Sequence, residues 1–329
     1  MELPRLCPKV QTIRCFQHVT SIKLRLGLMQ GHQTTKNRKM NKFIGILFAL
    51  LVVTVAKAQD DDELAGLLDE PVVYAQKTFY SSRIVNSHTT ESIEKKVLDF
   101  RINHRFGDVS EGYDNFFGLD NATMRLSFDY GITDKLTAGI GRSTFQKTVD
   151  GFVKYKFLSQ IEENGNMPIS AAYIAGITMN TEKAPQGRTN YFSSRIGYLH
   201  QLVVARKFNN GFSAQIMPTV IHRNLIDSSK YNNDVFSMGV GFKKKILPSI
   251  TLNIEYFWVA PNQISDQFID PLSIGIDINT GWHTFQLHLT NANGTFEQAA
   301  ITQTTNKWSK GNIHFGFNLS REFQAGGFH

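Results

Sequence analysis

The chain has 329 residues, with 35 lysines and arginines against 28 aspartates and glutamates, 41% hydrophobic residues, 19% charged residues and two cysteines. Low charge and high apolar and glycine content exclude a disordered or collagenous chain. The formal charge of +7 does not point to nucleic acid, because ten basic residues and one acid fall in residues 1–58, leaving 25 basic and 27 acidic residues in the rest; that remainder carries no positive excess for a phosphate backbone.

Met40-Asn41-Lys42 opens a 14-residue uncharged run, Phe43 to Ala56, followed by Ala56-Lys57-Ala58 and the acidic Asp60-Asp61-Asp62-Glu63. A basic start, a short apolar core and a small-x-small site make a cleaved secretory signal peptide. The run is shorter than the roughly 20 residues of a transmembrane helix. The signal peptide is therefore placed at 40–58, and residues 1–39 are read as an upstream extension from a mis-assigned start. Both cysteines, Cys7 and Cys15, lie in that extension. The exported chain is expected to have no disulfide framework, thiolate nucleophile or cysteine metal site. Gln59, not cysteine, follows the cleavage point, so a lipoprotein anchor is not expected.

Residues 59–96 read as a periplasmic segment or a small plug. Asp60 to Glu70 is acidic, with Leu64, Leu67 and Leu68 at helical spacing and Pro71 ending the stretch. Lys77 to His88 could form a strand, but a thirteenth would upset an even count.

From Val97 the pattern changes to period two, the signature of half-buried strands. Leu98, Phe100 and Ile102 alternate with Asp99, Arg101 and Asn103; Leu252, Ile254 and Tyr256 alternate with Thr251, Asn253 and Glu255. Twelve such segments are predicted, the first at 97–106 and the last at 312–323, several near the 9–11 residues that a tilted strand needs to cross a bilayer. Tight turns at Gly131 to Asp134, Asn209 to Gly211, Leu247 to Ser249 and Asn279 to Gly281 alternate with longer polar connections at 107–122, 180–190, 223–233, 260–269 and 291–311. The short connection 146–149 and the longer 159–168 break this alternation. Phe106, Phe208, Phe212, Trp258, Trp282 and Phe323 lie near strand ends, as interface girdles do. The predicted fold is all-β: a transmembrane antiparallel up-and-down β-barrel of about twelve strands over 97–323, with short periplasmic turns and longer external loops. Residues 324–329 form a C-terminal tail after a closing strand that ends on the aromatic Phe323.

Parity assigns a set of charged side chains to the lumen. Asp99, Arg101 and Arg105 come from the first strand, Arg125 and Asp129 from the second, and Lys154 and Lys156 from the fourth. Glu255, Asp277 and Glu322 share that parity further along. The basic sector either favours anions in a pore or takes part in salt bridges that fill a closed barrel. One apolar face is expected to meet lipid and the other to line a wet interior.

No chemistry is assigned to the wall. The chain lacks a Gly-x-Ser-x-Gly elbow and a phosphate-binding Gly-x-x-x-x-Gly-Lys loop. His283 and His288 fall on opposite faces, while His288 and His314 point inward on neighbouring strands, which a polar wall accommodates without a metal. No catalytic, cofactor-binding or metal-binding residue is proposed, and no enzyme activity is expected.

Val97 to Gly107, Phe117 to Thr123, Asp129 to Asp134, Gly139 to Ser143 and Thr290 to Thr295 occur in order along the chain. In these motifs it resembles a family of outer-membrane β-barrel proteins of Bacteroidota-type bacteria. The resemblance implies the fold and the outer-membrane location, and supplies no reaction, ligand or active residue. The expected function is a passive channel or transport pore for small polar solutes. A closed structural or partner-binding barrel and a lipid-acting barrel enzyme are the alternatives. The expected partners are outer-membrane lipid, the barrel assembly machinery and a small polar solute, with no nucleic acid; the oligomeric state stays open.

Overall fold

The computed structural model of the chain describes residues 77–161, 167–183, 191–226, 231–281 and 283–324. The expected extension and signal peptide, the acidic stretch to residue 76, the girdle position Trp282 and the tail from 325 lie outside the described residues.

Twelve strands follow one another: β1 (Val97–Asp108), β2 (Ala122–Gly131), β3 (Leu136–Ser143), β4 (Thr148–Leu158), β5 (Ser170–Asn180) and β6 (Ile196–Asn209) form the first half. β7 (Phe212–Arg223), β8 (Asp234–Leu247), β9 (Ile250–Val259), β10 (Leu272–Asn279), β11 (His283–Thr290) and β12 (His314–Gln324) complete it. Each strand pairs with its sequence neighbours, and β1 pairs antiparallel with β12 to close the barrel. Closure removes every sheet edge, which is what lets strands cross hydrocarbon without unpaired amides.

The period-two pattern becomes two faces. On β2, Leu126, Phe128 and Tyr130 are exposed outward while Arg125, Ser127 and Asp129 are buried inside. Across β9 and β10, Leu252 sits opposite Ile276 on the outside, and Glu255 opposite Ser273 on the inside. Large apolar side chains facing out and charges facing in invert the arrangement of a soluble sheet.

Tight turns and the outer ends of β1 and β12, where Val97 pairs with Gln324, share one end of the barrel. Asn209 and Asn279 each accept a hydrogen bond from the amide of the glycine two residues on, at 2.8 Å. This local bond reverses the chain in few residues, helped at Gly281 by a φ of +88°. The longer connections lie at the other, loop end. The short β3–β4 connection also lies there, and the longer β4–β5 connection at the turn end, so both exceptions to the alternation persist.

Two segments fold into the lumen. Residues 77–96 add no thirteenth barrel strand; they carry one isolated bridge, Arg83 to His88, around a reversal in which the Ile84 amide donates to the Ser87 carbonyl at 3.0 Å. From the loop end, the β11–β12 connection enters with a short helix, α1 (Glu297–Thr302), all six residues of which are buried.

These insertions correct the expectation of a uniformly wet interior. On β5 to β9 the inward face holds Ile174, Leu199, Val203, Met217, Ile221, Val235, Phe257 and Val259, all buried in one cluster with Phe79 and Ile84 of the first insertion and Ile301 of α1. Twelve strands enclose more space than wall side chains fill alone. Here an apolar sector of the wall packs against inserted apolar side chains, and the hydrophobic effect holds both in place.

Candidate functional site

The site is the occupied lumen and its mouth at the loop end. The first insertion is seated on the wall by polar contacts at its tip. Glu255 on β9 accepts hydrogen bonds from the amides of Val85 (3.3 Å), Asn86 (3.2 Å) and Ser87 (2.9 Å), from the Ser87 hydroxyl (2.5 Å) and from the Asn86 side-chain amide (3.0 Å). Successive amides curled around an oxygen make an anion nest, and here the anion is a side chain of the barrel. Around it, Arg105 donates to the Asn86 side-chain oxygen at 2.6 Å, Asn318 to the Val85 carbonyl at 3.1 Å, and Gln286 to the Ile84 carbonyl at 2.6 Å. Two glycines permit the close fit. A Cβ at Gly131 would stand 2.0 Å from the Glu94 carbonyl oxygen, and one at Gly241 would stand 2.2 Å from the Ile84 side chain.

The charged residues assigned to the lumen are placed as follows. Asp99, Arg101, Arg105, Arg125, Asp129, Lys154, Glu255 and Asp277 are buried on the inner face. Lys156 and Glu322 are half-buried near the turn end. Most engage one another or the first insertion. Arg101 pairs with Asp99 at 3.0 Å and donates to the hydroxyls of Ser81 and Ser82. Arg83 of the insertion approaches Asp129 at 3.8 Å, and Lys156 approaches Glu91 at 3.9 Å. The Lys154 ammonium donates to the Glu91 carbonyl. Asp277 accepts from Gln286 at 2.9 Å. The basic sector is thus taken up by internal pairing and by holding the insertion.

Parity could also have found Asp150, which forms a two-point pair with Arg125 at 2.6 and 2.8 Å. It shares the face of Lys154 but sits near the start of its strand. Gln201, Gln215 and Gln286, all buried on the inner wall, carried the same parity signal without a charge. Arg83, His88 and Glu297 lie in segments without the period-two pattern, so parity could not place them, and for Arg83 and His88 the sequence offered only the choice between a periplasmic segment and a small plug. Burial lowers Arg83 to about 10 against the attraction of Asp129, and burial beside Arg83 and Lys154 holds His88 well below the ordinary imidazole range. Burial pushes the Glu297 carboxyl up to about 8, opposed by Arg83 and by the hydrogen bond from Gln201.

At the loop end a cavity of about 310 Å³ opens beside α1. Its floor includes Phe296 and Gln298, and its walls are the ends of β4 to β7 with the residues just beyond them. Thr178 donates to Gln298 at 2.6 Å and Gln146 to Gln303 at 2.7 Å, tying the floor to the wall. Below it a void of about 30 Å³, room for about one water, lies among Arg83, His88, Asp150, Phe152 and Glu297. Thr178, Phe296 and Gln298 border both spaces.

His288 and His314 are both buried, as parity placed them. The His314 ring is held by the Phe106 carbonyl at 2.9 Å and by Asn306 at 2.9 Å. Among the described residues no three histidine, cysteine, aspartate or glutamate side chains are arranged to hold a metal ion.

No curated protein matches the sequence. Among solved structures, the NanC porin is 9% identical with a TM-score of 0.43, over 69% of this chain and 98% of that one. The KdgM porin is 9% identical with a TM-score of 0.42, over 69% and 99%. The COG4313 outer membrane channel from Pseudomonas putida F1 is 10% identical with a TM-score of 0.44, over 73% and 100%. The model of a family described as membrane bound beta barrel domain (DUF5777) matches residues 79–323, from the first insertion through the closing strand. The chain belongs to this family of membrane-bound β-barrel domains.

Proposed function

We propose that the protein is a channel of the bacterial outer membrane for small polar solutes, closed in the conformation described. The motif resemblance adds a Bacteroidota-type envelope to this reading. Short turns and both barrel termini then face the periplasm, and the loop end faces outward. One observation carries the reading: the cavity at the loop end and a smaller void between α1 and the first insertion share Thr178, Phe296 and Gln298 in their linings, so two non-covalently held segments stand between the mouth and the lumen below. Either can leave without breaking the barrel ladder.

The Glu255 nest favours a second reading, a permanently closed structural barrel. Planar-bilayer recordings separate the two. Glu255→Ala removes the acceptor that seats the first insertion, and Ile301→Asp places an unpaired carboxylate where α1 meets the apolar wall, which disfavours docking. The double variant is expected to carry steady current where the parent is silent or opens briefly. A folded, heat-modifiable double variant that passes no current would establish the structural barrel instead.

A further inference from the structure

The outer wall carries two cations where it approaches the turn end. Arg206 on β6 and Lys244 on β8 are both exposed and flank β7. Register places Arg206 opposite Ala214, and Ala214 opposite Phe242, in one row of outward side chains. One step nearer the turns, Phe212 pairs with Lys244. The Phe208 ring lies 5.6 Å from that of Phe212, which stacks on Phe242 at 6.3 Å, and the Arg206 guanidinium lies 5.2 Å over Phe208. The ring holds the guanidinium by its face and leaves the N–H groups at its edge free to donate. Among the described residues no ion pair or side-chain hydrogen bond engages Arg206 or Lys244. Cations at a lipid-facing wall are costly unless they reach charge of opposite sign.

We propose that this face binds an anionic phospholipid, its phosphate between Arg206 and Lys244 and an acyl chain along Ala214 and Ile216. Two strand spacings, about 10 Å, separate the strands that bear the cations, a span that two long side chains close over one headgroup. Ala214 leaves a shallow step between Arg206 and Phe242, and Ile216, 50% exposed, continues it away from the turns. The occupant is a lipid because the face is continuous with the apolar rows that meet hydrocarbon. Aromatic rings beside cations also match the boundary between acyl chain and phosphate. Arginine suits phosphate by two-point donation and lysine as a point charge. The site goes beyond the channel reading; only its assignment to the periplasmic leaflet rests on the orientation proposed above. Micelles have no leaflets, so binding measured in them stands or falls apart from orientation and conduction.

The test uses the full exported chain, folded in detergent micelles that hold equal amounts of phosphatidylglycerol and phosphatidylcholine with matched acyl chains. Native mass spectrometry counts the lipid retained. At low salt phosphatidylglycerol is expected to be retained roughly five- to tenfold more than phosphatidylcholine. The preference is expected to shrink at high salt, as screening requires. Arg206→Gln with Lys244→Gln, checked for heat-modifiable mobility, is expected to bring the two lipids to equal retention. Arg321, which lies over Phe323 on β12, and Lys135, in the turn between β2 and β3, carry the same two charges at the same end but away from this face. Arg321→Gln with Lys135→Gln is expected to keep most of the preference. Equal retention of both lipids by the parent, a preference untouched in the first pair, or an equal loss in both pairs would each overturn the site.

Discussion

At the scale of single residues, Glu255 shows how a barrel can hold a segment of its own chain without a covalent link. Its carboxylate has five donors from three consecutive residues, and its side chain is buried. Removing one partner from such a set costs more than the bonds contributed, because the abandoned donors stay out of water. Each unsatisfied buried donor costs about 1–3 kcal/mol, so in Glu255→Ala the tip at Val85 to Ser87 regains its hydrogen bonds by leaving the wall. Arg83, buried in the parent, then becomes a trypsin site. Cleavage after Arg83 is expected in the variant and not in the parent, while the barrel keeps its heat-modifiable mobility. Equal resistance in both would show that the apolar contacts of Phe79 and Ile84 hold the segment without the nest. The sequence pointed to Glu255 through parity alone. What it could not convey is the partner, since Val85 to Ser87 lie some 170 positions earlier in a stretch without period.

At the scale of elements, the strands were legible, while the first insertion stayed open between a periplasmic segment and a small plug and α1 read only as loop, for one physical reason. A strand with one face in lipid and one in a polar lumen writes its orientation into every second residue. β6 obscures that signal: Leu199 and Val203 face inward, Leu202 and Val204 face outward, and both faces are apolar. Helix α1 has six residues and no side-chain cap at Phe296. Such a helix is not stable by propensity and exists here because Ala299, Ala300 and Ile301 are buried. The Asn293-Gly294-Thr295 motif is part of its anchor: Thr123 donates to the Asn293 side chain at 3.1 Å, and Thr295 bonds Ser143 at 2.7 Å. Glu297 makes this docking sensitive to pH. Its carboxyl is raised to about 8 when docked, from an ordinary 4.5, by burial first. The docked state therefore binds the extra proton, and its stability falls as pH rises from about 4.5 towards 8, then levels off. Arg83 and His88 on the first insertion, Lys154 and Asp150 on β4 and Glu255 on β9 are the ionisable groups around it. Hydrogen exchange of amides 296–303, corrected for the intrinsic rate, is expected to show protection falling at least tenfold between pH 5 and pH 9. Glu297→Gln is expected to flatten the profile, and a parent profile already flat would refute the coupling.

At the scale of the whole molecule, two solvents act on one sheet. The outer surface must be cheap in hydrocarbon, and the inner surface must satisfy charges in a space shared with folded chain. Leu252 and Ile276, paired across β9 and β10, both point outward, and Ile276 is 44% exposed. Their inward neighbours Asn253 and Asp277 are almost fully buried against the filled lumen. An arginine at Ile276 moves a charge into the lipid-facing surface of a central strand position, which costs about 2–4 kcal/mol near the bilayer midplane. A leucine there keeps the apolar surface and costs much less. Reversible folding into phospholipid vesicles, followed in urea, is expected to place Ile276→Arg below the parent by about that amount and Ile276→Leu within about 1 kcal/mol. The same arginine in a soluble protein would sit in water at little cost. A negligible penalty, or folding that proceeds without vesicles or detergent, would therefore mean that the apolar rows do not face lipid. The same inversion makes both insertions necessary for the filled interior. With the outer face committed to hydrocarbon, the barrel has no water-side core to stabilise it, and among the described residues its buried apolar cluster brings Phe79, Ile84 and Ile301 of the two insertions against the wall. Emptying the lumen would thus trade that cluster for water, at a cost in proportion to the apolar surface exposed.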